Sequence, residues 1–171
     1  GSHTTSGNQS SVSLDIFTDT YKNYEVFIND MASSNGGQPY LRFRTASGDL
    51  TGNAYTSGWG HPYRSSGADG DDNHSQWGDA YFRLAHNGIS DSTTHKGQYK
   101  IFFPNPRSTS SYKSMLMHTV NFNPAETQLD PYIGSGMHVG SATTALTGFT
   151  LYMSGGYIDN GAIITYYGIK G

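Results

Sequence analysis

Tyr24-Glu25-Val26-Phe27-Ile28-Asn29 carries apolar side chains at 24, 26 and 28, with Glu25, Phe27 and Asn29 between them. A period of two sends the first set to one face and the second to the other, which is the signature of a strand buried on one side. The same period appears upstream at Val12, Leu14 and Ile16, interleaved with Ser11, Ser13 and Asp15, and downstream from Tyr40 to Arg44. Asn35-Gly36-Gly37 supplies the left-handed backbone of a turn, so the strands around residues 24–29 and 40–44 are expected to pair as a hairpin.

Beyond residue 45 the alternation stops until about residue 75. Ser47-Gly48-Asp49, Ser57-Gly58-Trp59-Gly60-His61-Pro62 and a polar run with Gly67 and Gly70 read as one long loop. Alternation returns at Tyr81, Phe82 and Leu84, at residues 97–103 ahead of Pro104-Asn105-Pro106, at 115–122, at 132–139, at Phe149, Leu151 and Met153, and at 162–169. In the 115–122 segment the apolar positions are 115, 117, 120 and 122, and this change of parity predicts a bulge. The tally is about eight or nine strands with no amphipathic helix. The expected fold is all-β: an antiparallel two-sheet β-sandwich of jelly-roll kind, with a closed barrel as the other way to bury such strands.

Composition agrees. The chain has 171 residues, 13% charged and 13% aromatic, with 22 Gly and no Cys. That length supports one domain with a real core, and the missing cysteines remove disulfides, thiolate metal sites and cysteine nucleophiles together. Ten Lys and Arg against 13 Asp and Glu give a net charge of −3 without a basic run, which argues against a nucleic-acid surface. No apolar stretch approaches the roughly 20 residues of a spanning helix, so no membrane insertion is expected. Gly1-Ser2-His3 reads as the scar of a cleaved purification tag and residues 1–10 as scar plus flexible linker, leaving residues 11–171 as the domain, itself a piece of a longer polypeptide.

Two stretches carry a resemblance. Lys96-Gly97-Gln98-Tyr99-Lys100-Ile101-Phe102-Phe103-Pro104-Asn105-Pro106 is a Gly-led strand ending in a proline corner. The run from Leu146 to Lys170, closing on Tyr166-Tyr167-Gly168-Ile169-Lys170, resembles the last hairpin of many tailed-bacteriophage virion proteins. Tyr24 to Asn29, followed by Tyr40-Leu41-Arg42-Phe43, is similar to their opening strands. The resemblance implies a surface β-sandwich domain of a fibre, head-surface or minor structural protein. It also implies location on the virion, contacts with other virion proteins, assembly as a homo-oligomer, often a trimer, and host attachment or capsid decoration without enzymatic activity. Tyr152, Tyr157, Tyr166 and Tyr167 are numerous enough near the end of the chain to suggest that such an assembly buries some of them.

The residue types that carry chemistry form no catalytic pattern. Asp69-Gly70-Asp71-Asp72-Asn73 offers oxygen ligands, with Asp69, Asp71 and Asn73 as weak calcium candidates. The helical calcium-loop pattern fails, however, with His74 where Gly is needed and Ala80 where a bidentate Glu belongs. A polar turn explains the run equally well. None of the seven histidines has metal-ligand spacing, and His118 and His138 read as surface or half-buried strand residues. No Gly-x-Ser-x-Gly elbow is present, and Glu25 and Glu126 are the only glutamates, so a hydrolase is the third-ranked reading and no cofactor is expected.

The aromatic set of the long loop stands out: Tyr55, Trp59, His61, Tyr63 and Trp77. Aromatic faces stack on the apolar side of sugar rings while polar neighbours take the hydroxyls. The alternative to the virion domain is therefore a carbohydrate-binding module with Trp59 and Trp77 on its platform, or a virion domain that uses the same residues on a host surface glycan. The competing explanation is that both tryptophans anchor the loop on the core.

Overall fold

The computed structural model describes residues 1–65, 68–141 and 143–171, with the side chains of residues 61–74 outside the description. It is all-β, in two antiparallel sheets packed face to face, as alternating burial along most strands requires. The larger sheet has the order β1 (Ser2–Thr4), β13 (Ile163–Ile169), β3 (Asn23–Met31), β9 (Gly97–Pro104), β10 (Lys113–Phe122), β11 (Leu129–His138), β6 (Tyr55–Ser65), β7 (Ala68–Asp79). The smaller runs β2 (Ser11–Leu14), β12 (Gly148–Met153), β4 (Pro39–Thr45), β5 (Gly48–Asp49), with β8 (Phe82–Arg83) also paired to β4. The strands beyond the expected eight or nine are β1 and β5, three- and two-residue pieces that sequence periodicity cannot register, and the long β6 and β7, which occupy most of the expected loop.

Aromatic rings join the layers. Phe103 of the large sheet stacks on Phe149 of the small one at 5.5 Å and meets Phe43 at 6.1 Å. Val26, Ile28, Ile101, Met115 and Met117 face Leu41 and Leu151 in the same closed interior. Each such side chain contributes about 1.5–3 kcal/mol by leaving water.

Three connections differ from the sequence reading. β3 and β4 do not form a hairpin: β3 pairs with β13 and β9, whereas β4 pairs with β12 in the other sheet. Both strands have one buried face, and crossing between layers lets those faces meet each other. β12 and β13 likewise lie in opposite sheets rather than in a closing hairpin. Residues 1–10 are no loose lead: β1 pairs with β13, Thr5 Oγ1 donates to the Asp159 carbonyl at 2.8 Å, and Gln9 bridges Ile158.

The expected long loop is also corrected. Residues 55–65 and 68–79 form the β6–β7 hairpin, paired from Tyr55–Asp79 to Ser65–Ala68. Glycine and serine hid the alternation, because Gly58 and Gly60 occupy outward positions where a polar side chain would have signalled a strand. Finally, β10 has no bulge. Its register with β11 is unbroken from Lys113–His138 to Phe122–Leu129, and register shifts fall instead at Ile28/Met31, where Asp30 has φ 58°, and at Tyr55/Thr56 at the start of β6. Lys113, Met115, Met117, Thr119 and Asn121 point inward, so Leu116 and Val120 point outward and are 52% and 42% exposed. The parity change in the sequence marks an apolar outer face.

Candidate functional site

That outer face is where the larger sheet gathers chemistry. The register lays side chains in rows across the strands. Thr165 of β13, Phe27 of β3, Lys100 of β9, His118 of β10 and Ile133 of β11 stand side by side in one row, ending at Gly60 of β6. With strands about 4.8 Å apart, Phe27 and Ile133 lie about 14 Å from one another. The neighbouring row contains Tyr167, Glu25, Phe102, Leu116, Ser135 and Gly58.

Two shallow grooves run over these rows, both lined by Lys100 and His118. One, about 380 Å³, is walled by Phe27, Asn29, Gln98, Val120, Pro131 and Ile133, and the other, about 260 Å³, by Glu25, Phe102 and Leu116. Lys100 sits at the junction. Its Nζ donates to Glu25 Oε1 at 2.6 Å and lies 5.5 Å from the centre of the Phe27 ring, which in turn meets the Tyr167 ring edge-on at 6.1 Å. The ammonium is thus held by a carboxylate and an aromatic face together, while half of the Lys100 side chain stays exposed and two of its three donor directions remain for a ligand. Glu25 offers acceptors, Asn29 and Gln98 offer both kinds of group, and Val120, Pro131 and Ile133 form an apolar wall. This arrangement fits a flat ligand with one polar edge and one apolar face.

The structure separates the sequence-level candidates. Tyr55 is fully buried: its hydroxyl donates to the Leu50 carbonyl at 2.7 Å and accepts from the Phe43 amide at 3.0 Å, and burial pushes its pKa well above the usual phenol value. Trp59 is only 6% exposed and belongs to the core. Both lie on the inner face of β6, where Tyr55, Ser57 and Trp59 turn inward, and neither can serve as a ligand platform. Trp77 projects from the outer face of the hairpin, 80% exposed, opposite Thr56. It therefore shares the open face with the grooves, toward the corner held by Met137. The side chains of His61, Tyr63, Asp69, Asp71 and Asn73 lie outside the described residues. Among those described, no group of three His, Cys, Asp or Glu is placed to hold a metal ion.

Phe27, Lys100 and His118 were not candidates on sequence. Phe27 carried a usable signal, an aromatic at the outward parity of a strand, but the meeting of the three depends on strand order.

No protein-family model matches the chain, and neither does any curated protein. Among solved structures it is similar to a galectin of Caenorhabditis elegans, at 10% identity and TM-score 0.35, over 96% of this chain and 95% of that one. It is also similar to domains LG4-5 of the mouse laminin alpha1 chain, at 11% identity and TM-score 0.37, over 99% of this chain and 42% of that one. A third is a toad ovary galectin in complex with thio-digalactose, at 8% identity and TM-score 0.25, over 84% and 98% of the two chains. At these TM-scores the likenesses carry no argument about a ligand.

Proposed function

We propose that this protein is a non-enzymatic recognition domain that takes a carbohydrate on the open face of its larger sheet. The observation that supports this reading is the Lys100–Glu25 pair beside the Phe27 ring, set in grooves whose other walls are apolar. A saccharide offers hydroxyls to the charged pair, to Asn29 and to Gln98, and a C–H face to Phe27, Pro131 and Ile133. An exposed ion pair is worth little to stability, about 0–1 kcal/mol, so its value at this position lies in presenting a fixed donor and acceptor. A glycan array with the wild type and Lys100→Met tests the reading: signals on a restricted set of glycans, lost in the variant, support it, and an array blank for the wild type overturns it.

A second reading is self-association. Leu116, Val120, Leu129, Ile133 and Met137 are each at least 41% exposed on adjacent strands of the same face, an apolar content that favours a protein partner. Light scattering separates the two, since a strict monomer removes the homo-oligomer. Display of such a domain on a tailed-phage particle, through contacts with other virion proteins, is supported by the sequence resemblance of residues 96–106 and 146–170. Proteomic detection in purified virions would test it.

A further inference from the structure

A different concavity lies where three neighbouring strands of the large sheet terminate together. β3 begins where β9 and β13 end, since Asn23 is opposite both Pro104 and Ile169. The segments just beyond, residues 19–22, 105–110 and 170–171, wall a depression of about 730 Å³. Its floor is fixed: the Asn105 amide donates to Asn23 Oδ1 at 3.0 Å, Asn105 turns the chain at φ 41°, and the Ser108 amide closes the turn on the Asn105 carbonyl at 3.0 Å. Gly168 has no side chain where the Tyr21 ring lies, so the ring rests on β13 and forms one wall.

The side-chain charge in this depression is predominantly positive. Asp19 is neutralised by Arg107, whose Nε and Nη2 donate to its two oxygens at 2.8 and 3.1 Å. Arg107 Nη1 also donates to the Leu146 carbonyl at 3.2 Å, which locks the guanidinium in place. Lys22 and Lys170 are exposed, and among the described residues neither has a carboxylate side-chain partner. Three of the ten basic residues of a chain with net charge −3 therefore line one depression, facing one already paired aspartate side chain and the carboxylate of Gly171. Hydroxyls of Thr20, Ser108, Thr109 and Ser110 complete the lining.

We propose that this depression binds an oxyanion carried on a saccharide: a sulfate ester, a phosphate ester or a carboxylate. Lys22 and Lys170 supply the charge, the hydroxyls take the remaining polar groups, and Tyr21 offers a face to the ring. A volume of 730 Å³ lies in the range of organic ligands rather than bare ions. The residues are distinct from those of the open sheet face, so either site can fail without the other.

Titration calorimetry on the full chain at low salt, with a sulfated disaccharide, an oligouronate, glucose 6-phosphate, a neutral disaccharide and inorganic phosphate, tests the proposal and separates the oxyanion sources. At least one acidic sugar is expected to bind. Its affinity should drop roughly tenfold or more, or about 1.4 kcal/mol, in Lys22→Ala/Lys170→Ala and weaken with added salt, while Lys96→Ala, a lysine that lines neither this depression nor the open-face grooves, binds as the wild type. Lys22→Gln and Lys170→Gln singly repeat the readout should the double variant fold poorly. The proposal is overturned if no acidic sugar binds, if the lysine variants bind as the wild type does, or if inorganic phosphate binds as tightly as every sugar.

Discussion

Trp59 and Trp77 sit on paired strands of one hairpin but on opposite faces of it, the first closed into the core at 6% exposure and the second open to solvent at 80%. Deleting Trp59 removes a large buried ring, so Trp59→Ala is expected to cost about 3–5 kcal/mol. Trp77→Ala should stay within about 0.5 kcal/mol of the wild type. Chemical denaturation of the two variants checks this. Equal destabilisation would mean the faces of the hairpin are assigned wrongly.

On the open face, Glu25 and Lys100 hold each other, and removing either changes the groove differently. Glu25→Gln leaves the ammonium over Phe27 and is expected to weaken glycan binding less than Lys100→Met, which removes both the donor and the cation. Phe27→Ala should weaken binding by about 1–2 kcal/mol through loss of the stacking face, with little change in melting temperature because the ring is not part of the core. Binding titrations of the three variants with an array-positive glycan give the order.

Much of the fold could be read from local chemistry, and what could not is physically understandable. Val12, Val26, Leu41, Phe103 and Phe149 announce buried faces because alternation depends only on a residue and its neighbours. Which strands become partners is set by how buried faces meet across the two layers, so the adjacency of β3 and β4 in sequence was misleading. Within β10, Val120 looked like the sign of a bulge because the reading assumed that every apolar strand residue turns inward. The site suffered most, since Phe27, Lys100 and His118 are 91 residues apart at the extremes (118 − 27) and meet only through the order β3-β9-β10. Tyr55 and Trp59 were prominent because aromatics are useful both in cores and at ligands, and on β6 the inward parity decides for the core.

Acid sensitivity follows from His138. It is 4% exposed, packs edge-on against Tyr55 at 4.5 Å, and lies near Lys113, so burial and the neighbouring ammonium hold its pKa below the ordinary 6.5. The unfolded chain takes up this proton more readily than the folded one, so the contribution of His138 is intact above about pH 6.5 and is lost as pH falls below it. Thermal melts from pH 7.5 to 5 should show a decline that is shallower in His138→Phe. An identical decline in the variant would assign the effect to other groups.

Gly148 sets the spacing of the small sheet. A Cβ at this position would overlap the Leu14 carbonyl of the adjoining segment. Gly148→Ala is therefore expected to cost about 1–3 kcal/mol through forced separation of β12 from β2, read as a lower denaturation midpoint. An unchanged midpoint would show that the edge strand moves aside freely.

Chemical-shift mapping of the isotope-labelled chain, titrated with a glycan positive on the array, addresses carbohydrate recognition most directly. The amides of Phe27, Lys100, His118 and Ile133 should move together and saturably, and Lys100→Met should abolish the response. Shifts confined to other parts of the molecule, or none at millimolar glycan, would contradict recognition on the open face of the larger sheet.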